Sequence, residues 1–139
     1  MYQDFYLSKI GLIKVVADDS AIKEISFVDE VEDNNKSNLT KEAIKQLNEY
    51  FNGVRSQFDL AVDLNNMNME ILNKILKIGY GKIILLDKFV LENDLDKAEV
   101  INFISNNKLL IIVPTHRIIA EINNQFSNII NKELIMLEK

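Results

Sequence analysis

The chain has 139 residues and a mass of 16.0 kDa, room for one domain of average size or two small ones. Hydrophobic residues make up 47% and charged residues 27%, and one proline with four glycines excludes a fibrous or Pro/Gly-rich disordered chain. The net charge of −5 argues against a strongly nucleic-acid-binding surface, and the lack of any cysteine excludes disulfides, thiolate metal sites and a cysteine nucleophile.

No segment approaches the ~18 uncharged apolar residues of a transmembrane span, so none is expected. Met1–Phe5 lacks the cationic and apolar regions of a signal peptide, and the expected compartment is the cytoplasm. Charge is uneven along the chain: residues 1–65 carry seven Lys/Arg and twelve Asp/Glu, whereas residues 66–139 carry nine of each. Two units are therefore expected, 1–65 and 66–139, with any anion-binding role in the second.

Phe5, Leu7, Ile10, Leu12, Ile13, Val15, Val16, Ile22, Ile25 and Phe27 form short, β-branched-rich runs. Gly11 and Asp18-Asp19-Ser20 punctuate them as hairpin turns would. Residues 29–38 read as an acidic, solvated loop. A helix is expected from Thr40 as N-cap, with Ala43, Ile44, Leu47, Tyr50 and Phe51 on one face and Gly53 just past its end. Residues 58–64 alternate and predict a last strand, and Asn65-Asn66 marks the border. In the second half, Met67 to Ile78 predicts a helix stopped by Gly79-Tyr80-Gly81. A short helix through Phe89–Leu91 and another through Val100–Ile104, capped by Asp94 or Asp96, allow a helix-turn-helix. Leu109–Val113 is a short apolar run before Pro114, and a final helix covers about 129–137.

Ile111-Ile112-Val113-Pro114-Thr115-His116-Arg117 resembles the active-site segment Ile-Val-Pro-Cys-His-Arg of the alkylguanine-DNA alkyltransferases, also called methylated-DNA–protein-cysteine methyltransferases. Gln46–Arg55 resembles the helix of that family's N-terminal domain, and Ile71, Ile75, Ile78, Tyr80 and Gly81 match the helix leading into its Pro-Tyr-Gly turn, with Gly79 replacing the proline. Asn107 matches the asparagine before the active-site segment, and Lys132–Glu138 the last helix. The resemblance implies an α/β N-terminal domain (1–65) with a small antiparallel sheet, ribonuclease-H-like, and an α-helical, winged-helix-like C-terminal domain (66–139) bearing the helix-turn-helix.

The family transfers an alkyl group from a flipped-out guanine to its own cysteine, with a histidine as base and a glutamate orienting it. The resemblance places Thr115 at the cysteine, His116 at the base and Glu138 near the glutamate, one residue out of register. With Asn107 these are vestigial catalytic positions: a threonine hydroxyl is far harder to ionise than a thiol, so no competent catalytic residue is expected. Two readings of His116 stay open, a retained base and a hydrogen-bonded structural histidine. Thr115 likewise reads either as a backbone-bonded turn residue or as a hydrolytic nucleophile paired with His116.

By the same resemblance the degenerate DNA-binding positions are Leu86, Ala98 and Arg117. Leu85-Leu86 replaces a Ser-Tyr pair that helps rotate the nucleotide, and Ala98 replaces the arginine that fills the gap. Glu99 adds a negative charge where phosphates should lie. Asn124–Ile130 replaces the glycine-rich loop. Leu85 and Leu86 are either exposed on the DNA face or packed in a core. The expected function is a family member inactive for alkyl transfer that binds alkylated duplex DNA weakly; the alternative is a protein-interaction module. No cofactor, metal or membrane partner is expected, because the cysteines and histidines that hold zinc in some members are missing.

Overall fold

The computed structural model describes residues 1–119 and 129–138. The chain divides into two compact units, residues 1–65 with 108–112, and residues 66–107 with 113–139.

The first unit is built on an antiparallel meander, β1 (Tyr2–Ser8), β2 (Gly11–Ala17) and β3 (Ile22–Val28), in the order β1-β2-β3. Ser8 pairs with Gly11 at the first turn, and Ser8 Oγ accepts from the Ile10 and Gly11 amides at 3.2 and 3.1 Å. Asp18 makes the second turn by accepting from the amides of Ser20 (2.7 Å) and Ala21 (2.8 Å), which is why an aspartate stands there. Successive strand side chains alternate faces, so Ile13, Val15 and Ala17 of β2 all point to one side and are fully buried, with Ile22 and Ile25 of β3. Each such Ile or Val contributes roughly 1.5–3 kcal/mol.

Helix α1 (Asn38–Phe51) covers that face with Ala43, Leu47, Tyr50 and Phe51. Its N-cap is Ser37, not Thr40. Ser37 Oγ accepts from the Thr40 amide at 3.2 Å and Thr40 Oγ1 accepts from the Ser37 amide at 2.9 Å, so Thr40 fills the third position of a capping box. Gly53, at φ +76°, follows the helix in the left-handed conformation. Buried Gln46 reads the backbone of Asp59, donating to its carbonyl and accepting from its amide, both at 2.9 Å.

Residues 58–64 do not form a strand. Ile22 donates to Ala61 and accepts from Asp63, both at 2.8 Å, and the pairing stops there. Further along β3, Ile25 donates to Lys108 at 2.8 Å and accepts from Leu110 at 3.1 Å. Two segments share one strand edge, so neither extends into a ladder. Ile111 then takes φ +74°, with the Ile112 amide donating to the Leu110 carbonyl at 2.9 Å. A β-branched residue in that region is strained.

The second unit is helical. Helix α2 (Met69–Leu76) is capped by Asn68, which accepts from the amides of Glu70 and Ile71, and it buries Ile71, Leu72 and Ile75. After a turn at Gly79–Lys82, β4 (Ile84–Leu85) pairs in parallel with β5 (Ile118–Ile119). Helix α3 (Leu86–Asn93) ends at Asp94, whose left-handed φ of 53° turns the chain. Asp96 caps α4 (Lys97–Ser105) by accepting from the Glu99 amide at 3.2 Å. The two candidate aspartates thus divide the work, one closing α3 and the other opening α4. This helix–turn–helix buries Leu86, Phe89, Val100 and Phe103. Helix α5 (Ile129–Leu137) closes the unit. The fold is thus a three-stranded antiparallel domain followed by a helical one.

Candidate functional site

Thr115, His116 and Arg117 form one 3-10 turn after Pro114. Pro114, with ψ of 61°, bends the chain so that the Thr115 amide donates back to the Val113 carbonyl at 2.8 Å. The β5 pairing with β4 fixes the exit. All three side chains are buried, as is Glu138 just past α5.

The carboxylate of Glu138 is the hub. His116 Nε2 lies 2.9 Å from Oε2. Arg117 donates through Nε to Oε1 at 2.8 Å and through Nη2 to Oε2 at 3.0 Å, a bidentate fork. The Gly81 amide donates to Oε1 at 3.3 Å. A buried carboxylate is tolerable only when such donors replace water. An ionised carboxylate accepts, so the imidazole carries its hydrogen on Nε2. Arg117 Nη1 donates to the Ile78 carbonyl at 2.8 Å, and its guanidinium lies 5.8 Å from the Tyr80 ring centroid. Gly81 is at φ +78°, and a Cβ there would meet the Glu138 backbone oxygen at 2.9 Å. The Gly79-Tyr80-Gly81 turn is thus one wall of the cluster.

Asn107 serves the neighbouring position. Its Nδ2 donates to the Val113 carbonyl and to Thr115 Oγ1, both at 3.0 Å. The Thr115 oxygen therefore receives a hydrogen bond from an amide, which is a donor and no base. Deprotonating a hydroxyl needs a base nitrogen within reach. His116 turns Nε2 to Glu138, which leaves Nδ1 as its acceptor nitrogen, and Thr115 Oγ1 bonds to Asn107 and not to that ring.

Thr115, His116, Asn107 and Glu138 are thus brought into one hydrogen-bonded neighbourhood, with Arg117 inside it. Arg117, expected on the DNA-binding side, is turned inward, its Nε, Nη1 and Nη2 all engaged. Leu86 also points inward, 3% exposed, while Leu85 before it is 47% exposed. Ala98 lies in the exposed first turn of α4 beside Glu99, and Lys97 pairs with Asp87 at 2.8 Å. Asn124–Asn128, in the expected replacement for the glycine-rich loop, lies outside the described residues. The roles of Gly81 and of the Ile78 carbonyl act through backbone atoms and carry no side-chain signal; Tyr80 was visible only as part of the turn.

This arrangement sits in a chain with clear relatives. Residues 1–64 match the family model described as 6-O-methylguanine DNA methyltransferase, ribonuclease-like domain. A methylated-DNA–protein-cysteine methyltransferase of Sulfolobus acidocaldarius is 32% identical over 119 residues, covering 84% of this chain and 77% of the relative. The chain belongs to the methylated-DNA–protein-cysteine methyltransferase family. A probable member from Acanthamoeba polyphaga mimivirus is 30% identical over 122 residues, covering 84% and 80%. The fold agrees with a crystal structure of Mycobacterium tuberculosis O6-methylguanine methyltransferase at a TM-score of 0.81, 21% identity, 99% of this chain and 92% of the other. It agrees equally with the crystal structure of Mycobacterium tuberculosis OGT in complex with DNA, at a TM-score of 0.81 and 21% identity, covering 100% of this chain and 93% of the other. A methyltransferase of this family is named for a cysteine, and this chain has none. No helix among the described residues is long and apolar enough to cross a membrane.

Proposed function

We propose that this chain is a non-transferring member of the methyltransferase family, which binds alkylated duplex DNA weakly in the cytoplasm without repairing it. The observation that carries the reading is at position 115. Between Pro114 and His116, where the resemblance puts the alkyl-accepting cysteine, stands a threonine whose oxygen accepts from Asn107. A hydroxyl there lacks the ionisation and the intrinsic nucleophilicity of a thiolate. A structural histidine in place of a base is supported by Thr115 Oγ1 bonding to Asn107 and not to the imidazole, while Glu138 and Arg117 fix the ring in the buried cluster. Binding to DNA is supported by the names of the relatives and by the fold shared with a DNA complex.

Two measurements test this. Incubation with duplex DNA containing O6-methylguanine leaves the protein mass unchanged; a gain of one methyl group at a rate competitive with a working methyltransferase overturns the reading. Thr115→Cys restores the sulfur but not transfer, because Leu86 and Ala98 supply neither the group that rotates the nucleotide nor the one that fills its place. Transfer by this variant at such a rate would refute that account.

A second reading, a protein-interaction module, draws on a specific feature: Leu85 and Leu91 are 47% and 82% exposed on a unit whose α4 begins with Asp96 and Glu99. Absence of DNA binding even at ~20 mM salt favours it over the first.

A further inference from the structure

The first turn of α4 is a poor place for a phosphate. A helix N-terminus usually attracts anions through its open amides. Here Asp96 Oδ2 already accepts from the Glu99 amide, Glu99 adds a second exposed carboxylate, and Lys97 is held by Asp87 at 2.8 Å. A concavity of about 490 Å³ bordering α4 is lined by Asn66, Asn68, Asn102 and Asn106 with Glu99, and no cation is among its lining residues.

The opposite charge pattern occurs around the turn that follows α2. A concavity of about 300 Å³ is lined by Lys74, Lys77 and Lys82, together with Gly79, Glu92 and Asn93. Lys74 lies in the last turn of α2 and Lys77, its C-cap, follows three residues later. The Gly79–Lys82 turn returns the chain, so that Lys82 Cγ lies 3.6 Å from the position of a Cβ on Gly79. No acid lies within ion-pair distance of these three lysines among the described residues. The acid in the lining, Glu92, is paired with Lys88 at 3.8 Å. The C-terminal half-charge of α2 offsets part of the field, yet three ammonium groups against one shared carboxylate leave it positive.

We propose that Lys74, Lys77 and Lys82 form the phosphate-contacting surface of this chain, so that duplex DNA is held through the α2 turn and not through the first turn of α4. The proposal rests on the DNA-binding reading above. Ammonium groups on flexible stems contact backbone phosphates as point charges and carry no base preference. The lysines therefore supply lesion-independent affinity with a modest salt dependence. Three phosphate contacts give a slope of roughly −2.7 in log K against log salt, a loss of roughly 40-fold between 50 and 200 mM.

The test is fluorescence anisotropy of a labelled duplex, with and without O6-methylguanine, across that salt range. The variants are Lys77→Gln/Lys82→Gln and the charge-matched Lys41→Gln/Lys45→Gln on exposed positions of α1. Expected is a slope reduced by roughly 1.8 in the first double variant and unchanged in the second, with far-UV circular dichroism unaltered in both. Should the first variant not fold, Lys82→Gln alone, on the exposed turn, lowers the slope by roughly 0.9. Wild-type binding with equal slopes in all variants overturns this surface and leaves the DNA-binding reading standing. Equal losses in both double variants also overturn it, since net charge then suffices. No wild-type binding at low salt removes both.

Discussion

Glu138 sits between an imidazole and a guanidinium, and Lys23 sits between two carboxylates. The first cluster is sealed: Glu138, His116 and Arg117 are all less than 8% exposed. The second lies at the edge of the first unit, where Lys23 reaches Asp63 at 2.5 Å and Asp18 at 3.2 Å with side chains 20–38% exposed. In each a central group holds two partners, but their surroundings give them different work. Water screens the Lys23 cluster and can replace any partner that leaves. Nothing replaces a partner of Glu138, so every donor there becomes obligatory. The buried cluster is thus held in place by its own hydrogen bonds, whatever chemistry it does or does not carry.

Four substitutions sharpen that contrast, in falling order of effect. Arg117→Ala strands a buried carboxylate and is expected to cost about 3–5 kcal/mol in urea unfolding; a cost below that of the turn variant that follows would break the comparison. Gly81→Ala forces a side chain into a left-handed residue and against the Glu138 backbone, at about 1–3 kcal/mol in the same assay. Thr115→Val removes the acceptor of the Asn107 amide and costs about 1 kcal/mol. Lys23→Met has the smallest effect, read as a shift of the unfolding midpoint at pH 7 below that of the other three.

The exposed cluster also carries a pH dependence. Amides of Ser20 and Ala21, then Lys23, hold Asp18 below the ordinary 3.8; Lys23, then the Asn65 amide, holds Asp63 below it. Asp63 and Asp18 in turn raise Lys23 above 10.5. Carboxylates depressed in the folded state stabilise it above their unfolded pKa and lose that contribution as pH falls through the folded value. A raised lysine stabilises below its unfolded pKa and loses it as pH rises through the folded one. Stability should therefore fall below about pH 4 and above about pH 10.5. In Lys23→Met the alkaline loss shrinks but remains, because Asp19 beside Tyr2 and burial of Tyr6 hold both phenols above 10.0, and the acid loss shrinks but remains, because Asp18 keeps its two amides. An unchanged acid limb, measured by unfolding midpoints from pH 2 to 6, would show that Lys23 does not hold Asp63.

Much of the fold was readable because its signals are local. The β-branched runs, the α1 face and Gly53 report directly on strand, helix and helix end. Ser37 was passed over because Thr40 is equally able to cap, and only the reciprocal bonds between them decide which one does. The 58–64 alternation is real, but a strand also needs a free edge, and β3 offers one residue before Lys108–Leu110 takes over. At the candidate site, the resemblance names Thr115, His116 and Glu138, and the structure pairs His116 with Glu138 and Thr115 with Asn107. The resemblance could not show that Arg117 points inward, since an arginine's direction depends on a carboxylate 21 positions away. Leu86 turns inward and Leu85 outward because one residue of register at the start of α3 separates them.

The left-handed Ile111 has a consequence for exchange with solvent. Its backbone stores about 1–3 kcal/mol that any local opening releases. The amide of Ile112, closed in a three-residue turn, should then trade its hydrogen for deuterium well before those of Ile25 and Leu110, which pair with the strand edge beside it. The stretch just ahead of Pro114 would be the first part of the sheet domain to let water in, and the domain's core would stay shut while it does so.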